Sequence, residues 1–238
     1  MSLRGVRVLV TRAAEDAPEL EDLLRQRGAV PVRMPCIQFE DAPGAARVAQ
    51  LLCAPSSRPD LVVVSSPHAA RRLLALCGRI EAPLAAVGAA TARELPGEVL
   101  VPDAGAGASA LLAVLKERVA GKRVLVPRAE GGNPALVDGL RAAGANVETL
   151  TLYRTVPARS ADLSLLQGLG AISFASGSAV RGFVALAGAD ARGAAIACMG
   201  ENCAEEVRRC GLRPDAVAAG GLNELCDAVA LALRAHKD

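Results

Sequence analysis

Six turns in this sequence share one chemistry, small hydroxyls and glycines between a short apolar run and a helical stretch. They are Thr11-Arg12, Ser65-Ser66-Pro67, Gly88 with Thr91, Arg128 with Gly131-Gly132, Ser176-Gly177-Ser178 and Gly200-Glu201-Asn202. Small side chains leave main-chain N–H groups uncovered, and a helix amino end presents them with partial positive charge. As a set the turns suit an anionic ligand held by backbone amides, with Arg12 and Arg128 as candidates for charge-assisted contacts. Taken singly, Ser, Thr and Asn are also the usual helix caps, and each arginine reads equally as a solvated strand end. His68 follows Ser66-Pro67 in a first helical turn, where an exposed or locally bonded imidazole is the plainer reading.

Positioning these turns requires strands and helices in alternation. Apolar, β-branched runs fall at Val6–Val10, Leu61–Val64, Leu84–Val87, Glu98–Val101, Arg123–Val126, Ala171–Phe174, Ala194–Met199 and Asp215–Ala218. Between them, Ala17–Gln26, Ala69–Cys77, Ala108–Val119, Ala135–Ala143 and Asn223–Leu233 are apolar at three- and four-residue spacing, the signature of amphipathic helices. The alternation predicts an α/β protein with parallel sheets covered by helices on both faces. Ligands in such sheets sit at the carboxyl ends of strands, where the six turns fall.

The second half repeats the first. Val8-Leu-Val-Thr-Arg12 with Gly28-Ala-Val30 matches Val124-Leu-Val-Pro-Arg128 with Gly144-Ala-Asn-Val147. Val63-Val-Ser-Ser66 matches Phe174-Ala-Ser-Gly177, and Val87-Gly-Ala-Ala-Thr-Ala92 matches Met199-Gly-Glu-Asn-Cys-Ala204. The order is preserved at an offset of roughly 110–116 residues, as an internal duplication requires. Val30–Glu40 and Val147–Pro157 occupy equivalent places and are each long for one strand. They read either as ordinary strands or as connectors between two lobes. As connectors they leave one lobe of 41–146 and another joining 1–33 to 157–238, with 34–40 and 147–156 between; the site is then expected between the lobes.

Composition narrows the function. Of 238 residues, 52% are hydrophobic and 22% charged, a globular balance. Aromatics are 2%, with no Trp, one Tyr and three Phe, and the net charge is +2. Neither base-stacking platforms nor a basic stripe is present, which argues against a nucleic-acid partner. Arg4, Arg7 and Arg12 interrupt the N-terminus, and the uncharged stretch Leu163–Val180 is broken by serines and glycines, so neither a signal core nor a membrane partner is expected. Seven scattered cysteines without a CxxC pair fit reduced thiols in a cytoplasmic protein. His68 and His236 are far apart, Cys198, Cys203 and Cys210 lack ligand spacing, and no metal site is expected.

The strings Val8-Leu-Val-Thr-Arg12, Val63-Val-Ser-Ser-Pro-His-Ala-Ala70, Val87-Gly-Ala-Ala-Thr-Ala92, Leu125-Val-Pro-Arg-Ala-Glu-Gly-Gly132, Leu152-Tyr-Arg-Thr-Val-Pro157 and Ser173-Phe-Ala-Ser-Gly-Ser-Ala-Val180, taken in order, resemble the uroporphyrinogen-III synthase family. The resemblance covers nearly the whole chain. It implies two similar flavodoxin-like, three-layer lobes joined by a two-stranded antiparallel ladder, cyclisation of hydroxymethylbilane, no cofactor, and room for a transient contact with hydroxymethylbilane synthase. A monomer is expected, since each lobe covers its own sheet. Three positions depart from the family pattern: Cys203 stands where it commonly has Thr, Asn133 where it often has Arg, and Gly177 where it often has Pro.

The resemblance also gives the residues a reaction. A linear tetrapyrrole must lose its hydroxyl as water and be attacked at the substituted carbon of ring D, so that the ring inverts through a spiro intermediate. Tyr153, the only tyrosine, is the candidate proton donor, since a phenol with an ordinary pKa of about 10 stays protonated at neutral pH. Packing at a lobe junction is its alternative reading. Carboxylate binding is expected from amides at Ser65, Ser66, Gly88, Ser176, Gly177, Ser178 and Gly200, with Thr11, Thr91, Arg12 and Arg128. Two other readings stand beside this one. Gly105-Ala-Gly-Ala-Ser-Ala110 formally fits a GxGxxA turn and would make the chain a nicotinamide-dependent reductase. The same fold could also serve as a non-catalytic tetrapyrrole sensor.

Overall fold

The computed structural model describes residues 3–53, 58–105 and 107–236. Met1 and Ser2 of the N-terminal stretch, and Ala106 of the Gly105–Ala110 motif, lie outside the described residues. The chain divides into two compact units, Met1–Phe39 with Thr155–Asp238, and Glu40–Arg154.

In the first unit the strand order is β11 (Ala216–Ala218), β10 (Ala195–Met199), β9 (Ala171–Phe174), β1 (Arg7–Val10), β2 (Val30–Arg33). All neighbours are parallel. Alternation along the strands supplies two cores. Val8, Val10, Ala195 and Ala197 meet Leu20 and Leu24 of α1 (Ala17–Gln26) and Val229 of α9 (Leu222–Ala235). Leu9, Ile172, Phe174 and Cys198 face the other way, onto Phe183 of α7 (Gly177–Ala187) and Val207 of α8 (Glu201–Arg209). Burial on both faces is why these strands read as unbroken apolar runs.

In the second unit the order is β8 (Asn146–Pro157), β7 (Arg123–Ala129), β4 (Leu61–Val64), β5 (Leu84–Ala86), β6 (Val99–Leu100), with β3 (Ile37–Asp41) outside β8. From β8 to β6 every pair is parallel. Val63, Ala85, Val124 and Val126 pack with Leu111 and Leu115 of α5 (Ala108–Leu115) and Leu140 of α6 (Ala135–Ala142). The remaining helices are α2 (Gly44–Cys53), α3 (Pro67–Cys77) and the single turn α4 (Ala89–Ala92).

Without β3, the two sheets have the same order, β2-β1-β9-β10-β11 and β8-β7-β4-β5-β6. This is the flavodoxin-like arrangement, reversing once between the first and third strands of the motif. Each sequence copy is shared between units: the first supplies β1–β2 to one and β4–β6 to the other, the second β9–β11 and β7–β8.

The two long stretches resolve differently. Val30–Glu40 is interrupted at Met34-Pro35-Cys36, so that β2 and β3 belong to different sheets. Pro35 has no N–H for a ladder, while Met34 and Cys36 donate to Val10 and Thr11 carbonyls at 3.1 and 3.1 Å. The second stretch runs unbroken as the 12-residue β8. The chain passes between units within β3 and returns within β8. Ala42 N–H donates to Leu152 O at 3.2 Å and Ala158 N–H to Cys36 O at 3.0 Å, so one strand ascends as the other descends.

Candidate functional site

Strand order reverses in the second unit between β7 and β4, and the turns after these strands carry Gly131-Gly132 and Ser65-Ser66-Pro67. Ser66 takes an extended conformation (φ −160°, ψ 155°) and caps α3, its Oγ accepting from Ala69 N–H at 3.1 Å, with Pro67 opening the helix. Tyr153 approaches this cap from β8. A register shift between Arg128 and Ala129 pairs Ala129 with Tyr153, and Glu130 N–H donates to Tyr153 O at 2.8 Å. Such bulges re-aim side chains. The phenol is 6% exposed, with Oη 3.5 Å from Ser66 Oγ.

Two residues of α3 grip the phenol ring. The buried His68 meets it edge-on, centroids 4.5 Å apart at 68°, and the Arg72 guanidinium lies 5.6 Å over its face. Arg72 is ion-paired to Asp41 of β3. His68 thus has a role as ring packing for Tyr153. Sequence reasoning missed Arg72 and Asp41; the four-residue spacing from His68 to Arg72, one helix face, was the available signal. Ser65 is exposed beside the cap. Gly88 caps the single-turn α4 in an extended conformation (φ 172°), and Thr91 in that turn is 2% exposed. Arg128 lies over Gly132, whose added Cβ would come within 3.2 Å of its Nη2.

In the first unit the reversal falls between β1 and β9. Ser176 caps α7 in the conformation of Ser66 (φ −163°, ψ 155°), accepting from Ala179 N–H at 3.3 Å. Its Oγ lies 3.0 Å from Ser178 Oγ. Gly177 and Ser178, in the first helical turn, have N–H groups with no intrahelical acceptor. With Arg12 and Asp16, Ser176 and Ser178 line a cavity of about 250 Å³.

Two expected ligand contacts are spent inside the fold. Thr11 is 0% exposed; its Oγ1 donates to Ser173 O at 2.8 Å while Ser173 Oγ donates to Leu9 O at 2.7 Å, a reciprocal staple between β1 and β9. Gly200 N–H donates to Ala218 O at 2.9 Å, so this amide closes the β10–β11 end instead of facing a ligand.

The three departures have local reasons. Cys203 is 2% exposed, and its thiol donates to Phe174 O at 3.5 Å, a core contact that a hydroxyl would also make. A hydrogen bond with Cys203, reinforced by burial, pushes the neighbouring Cys198 thiol well above its ordinary range. Asn133 Oδ1 accepts from Ala135 N–H at 2.9 Å at the start of α6. Gly177 sits where an added Cβ would come within 3.2 Å of Glu206 Cβ.

The dinucleotide alternative lies elsewhere. Gly105 and Gly107 follow the edge strand β6, away from the reversal where dinucleotides bind, and Gly107 N–H is bonded to Val87 O at 2.7 Å. Among the described residues no group of three His, Cys, Asp or Glu could hold a metal, and no helix is long and apolar enough to cross a membrane.

The family model described as uroporphyrinogen-III synthase HemD matches residues 18–220. A chloroplastic uroporphyrinogen-III synthase of Oryza sativa subsp. japonica is 29% identical over 251 aligned positions, spanning 96% of this chain and 81% of that one. Among solved structures, uroporphyrinogen-III synthetase from Helicobacter pylori 26695 superposes with TM-score 0.64 at 17% identity, covering 97% of this chain and 100% of that one. A mutant uroporphyrinogen III synthase from Thermus thermophilus gives 0.52 at 20% identity, covering 97% and 99%.

Proposed function

The chain belongs to the uroporphyrinogen-III synthase family, and from that premise we propose that it closes hydroxymethylbilane to uroporphyrinogen III with inversion of ring D and loss of water. It is thereby a cyclising lyase of tetrapyrrole biosynthesis. The observation that carries the chemistry is the Tyr153 phenol, 3.5 Å from the Ser66 hydroxyl at the carboxyl end of the β4–β7 reversal.

Tyr153 donates its proton to the substrate hydroxyl as the carbon–oxygen bond breaks, so that water leaves and an azafulvene cation remains. A group placed this way typically contributes about 10²–10⁴-fold. The cation is attacked by the substituted carbon of ring D, the spiro intermediate fragments, and ring D recloses through its free carbon. The hydrogen lost from that carbon restores the Tyr153 proton, and the balance is one water. Ser66, already an acceptor for Ala69 N–H, keeps an oxygen beside the phenol. His68 and Arg72 hold the ring so that its hydroxyl points one way, which is the positional part of catalysis.

The substrate carries carboxylates on every ring. We assign their binding to first-turn amides and hydroxyls in each unit, at Ser65 and Ser66 and at Ser176, Gly177 and Ser178, with Arg12 and Arg128 as charged partners. A transient contact that receives the unstable substrate from hydroxymethylbilane synthase belongs to the same proposal.

The test generates hydroxymethylbilane in situ with its deaminase, adds this protein, and resolves the uroporphyrin isomers after oxidation. Isomer III in excess is the expected result. Isomer I alone, the product of unassisted closure, removes the assignment, and tetrapyrrole binding without a change in isomer ratio makes the protein a sensor.

A further inference from the structure

Asp16 stands at the amino end of α1, the position where an aspartate ordinarily accepts a helix N–H. Its side chain makes no such cap bond. The carboxylate lies 4.0 Å from Arg12 Nη2, and both residues line the cavity of about 250 Å³ at the β1–β9 reversal. Arg12 Nη1 is buried with no hydrogen-bond partner among the described residues. An aspartate turned from its helix end toward a cavity breaks a local rule, as residues at functional sites do.

The walls say what fits. Ile37, Phe39, Ala175 and Met199 give the cavity apolar faces, while Arg12, Asp16, Ser176 and Ser178 give it a polar edge of mixed sign. A bare carboxylate would be attracted by Arg12 and repelled by Asp16. The matching guest is flat and apolar on its faces, with an N–H donor on one edge and an anionic arm on another. A volume of about 250 Å³ is below the roughly 300–1,000 Å³ of sites for drug-sized ligands, so it holds one ring and its arms. We propose that this cavity is a subsite for a single pyrrole ring of the substrate, in which Asp16 accepts the ring N–H and Arg12, Ser176 and Ser178 take a carboxylate arm. The inference rests on the tetrapyrrole reading and adds a residue, Asp16, that fixes which edge of the ring faces inward.

Two substitutions test it. Asp16→Leu removes the acceptor; Asp16→Asn keeps an oxygen in the same place without the charge. With hydroxymethylbilane generated in situ, Asp16→Leu is expected to raise KM at least tenfold, more than it lowers kcat, and Asp16→Asn to recover most of that loss. A monopyrrole with carboxylate arms, titrated by NMR, is expected to shift the amides of Asp16 and of Ser176–Ser178, and to bind Asp16→Leu at least tenfold more weakly. A Leu variant with wild-type KM and monopyrrole affinity overturns the subsite. So does an Asn variant as impaired as Leu, since a merely structural carboxylate would give that result. Isomer I alone from the wild-type protein sinks the synthase reading, while the titration still decides the subsite.

Discussion

The two cap serines, Ser66 and Ser176, share backbone angles to within a few degrees (φ −160°, ψ 155° and φ −163°, ψ 155°) and each accepts the N–H three residues on. What their hydroxyls touch beyond the helix differs. Ser66 meets the Tyr153 phenol, whereas Ser176 meets Ser178 beside an arginine and a carboxylate. Duplication therefore preserved the cap geometry of both strand reversals, while the residues around the caps diverged: Tyr153 comes from β8 at one, and Ser178 of the same helix stands with Arg12 and Asp16 at the other. On the roles proposed above, one reversal gives a proton and the other holds an anionic, hydrogen-bonding ring.

Removing the phenol hydroxyl breaks this contrast most directly. Tyr153→Phe is expected to slow isomer III formation about 10²–10⁴-fold with an unchanged melting temperature, because Ser66 retains its cap bond. A variant with wild-type turnover would return Tyr153 to a packing role. Next in size is a property the two units share. An added Cβ would collide with the Cys36 carbonyl oxygen at Gly182 in α7, and with that of Thr151 at Gly44 in α2. Backbone cannot yield as a side-chain tip can, so Gly182→Ala should destabilise by about 1–3 kcal/mol or more in chemical denaturation. A loss no larger than that of Gly188→Ala, where nothing lies within 4 Å but φ is +77°, would mean that α7 is free to move off Cys36.

The caps themselves give a smaller, paired effect. Ser66→Ala and Ser176→Ala should each cost about 1 kcal/mol of stability, yet only Ser66→Ala should lower kcat, through the phenol beside it. Equal kinetic losses would erase the distinction between the reversals. Of all this, the caps were legible in sequence, because Ser-Pro and Ser-Gly after an apolar run announce a strand leading into a helix. So were most elements: Leu61–Val64, Ala171–Phe174 and Ala17–Gln26 fall where periodicity puts them. The helix α2 escaped although its buried Ala45, Val48, Leu51 and Leu52 keep helical spacing, since Gly44 at its start reads as a loop. Thr11 and Gly200 resemble ligand donors in one dimension. Their partners, Ser173 and Ala218, belong to neighbouring strands, and local pattern carries no information about pairing over 162 residues. Asp16 was hidden for the opposite reason: its type and position fit a helix cap so well that nothing in the string suggests the side chain turns away.

The smallest expected difference lies in how the equivalent helices α1 and α6 fill one position. Gly28 aligns with Gly144, which sets Glu21 against Val137, both buried. Val137 is ordinary core, whereas Glu21 is held by Arg33 Nη2 at 2.8 Å and Arg25 Nη2 at 3.0 Å. The hydrogen bond from Arg33, then that from Arg25, outweigh burial and hold the Glu21 carboxyl below its ordinary range. A depressed carboxyl stabilises the fold above its unfolded pKa of about 4.3, and that contribution is lost as pH falls through the lower, folded value. Because Arg33 is 45% exposed, its size should not exceed about 1 kcal/mol. Glu21→Gln should therefore be less stable than wild type in urea at pH 7 by up to that amount, with the gap closing below about pH 4. A gap that persists unchanged into acid would assign Glu21 the same role as Val137, packing alone, and the two helices would then differ in residue type without differing in physics.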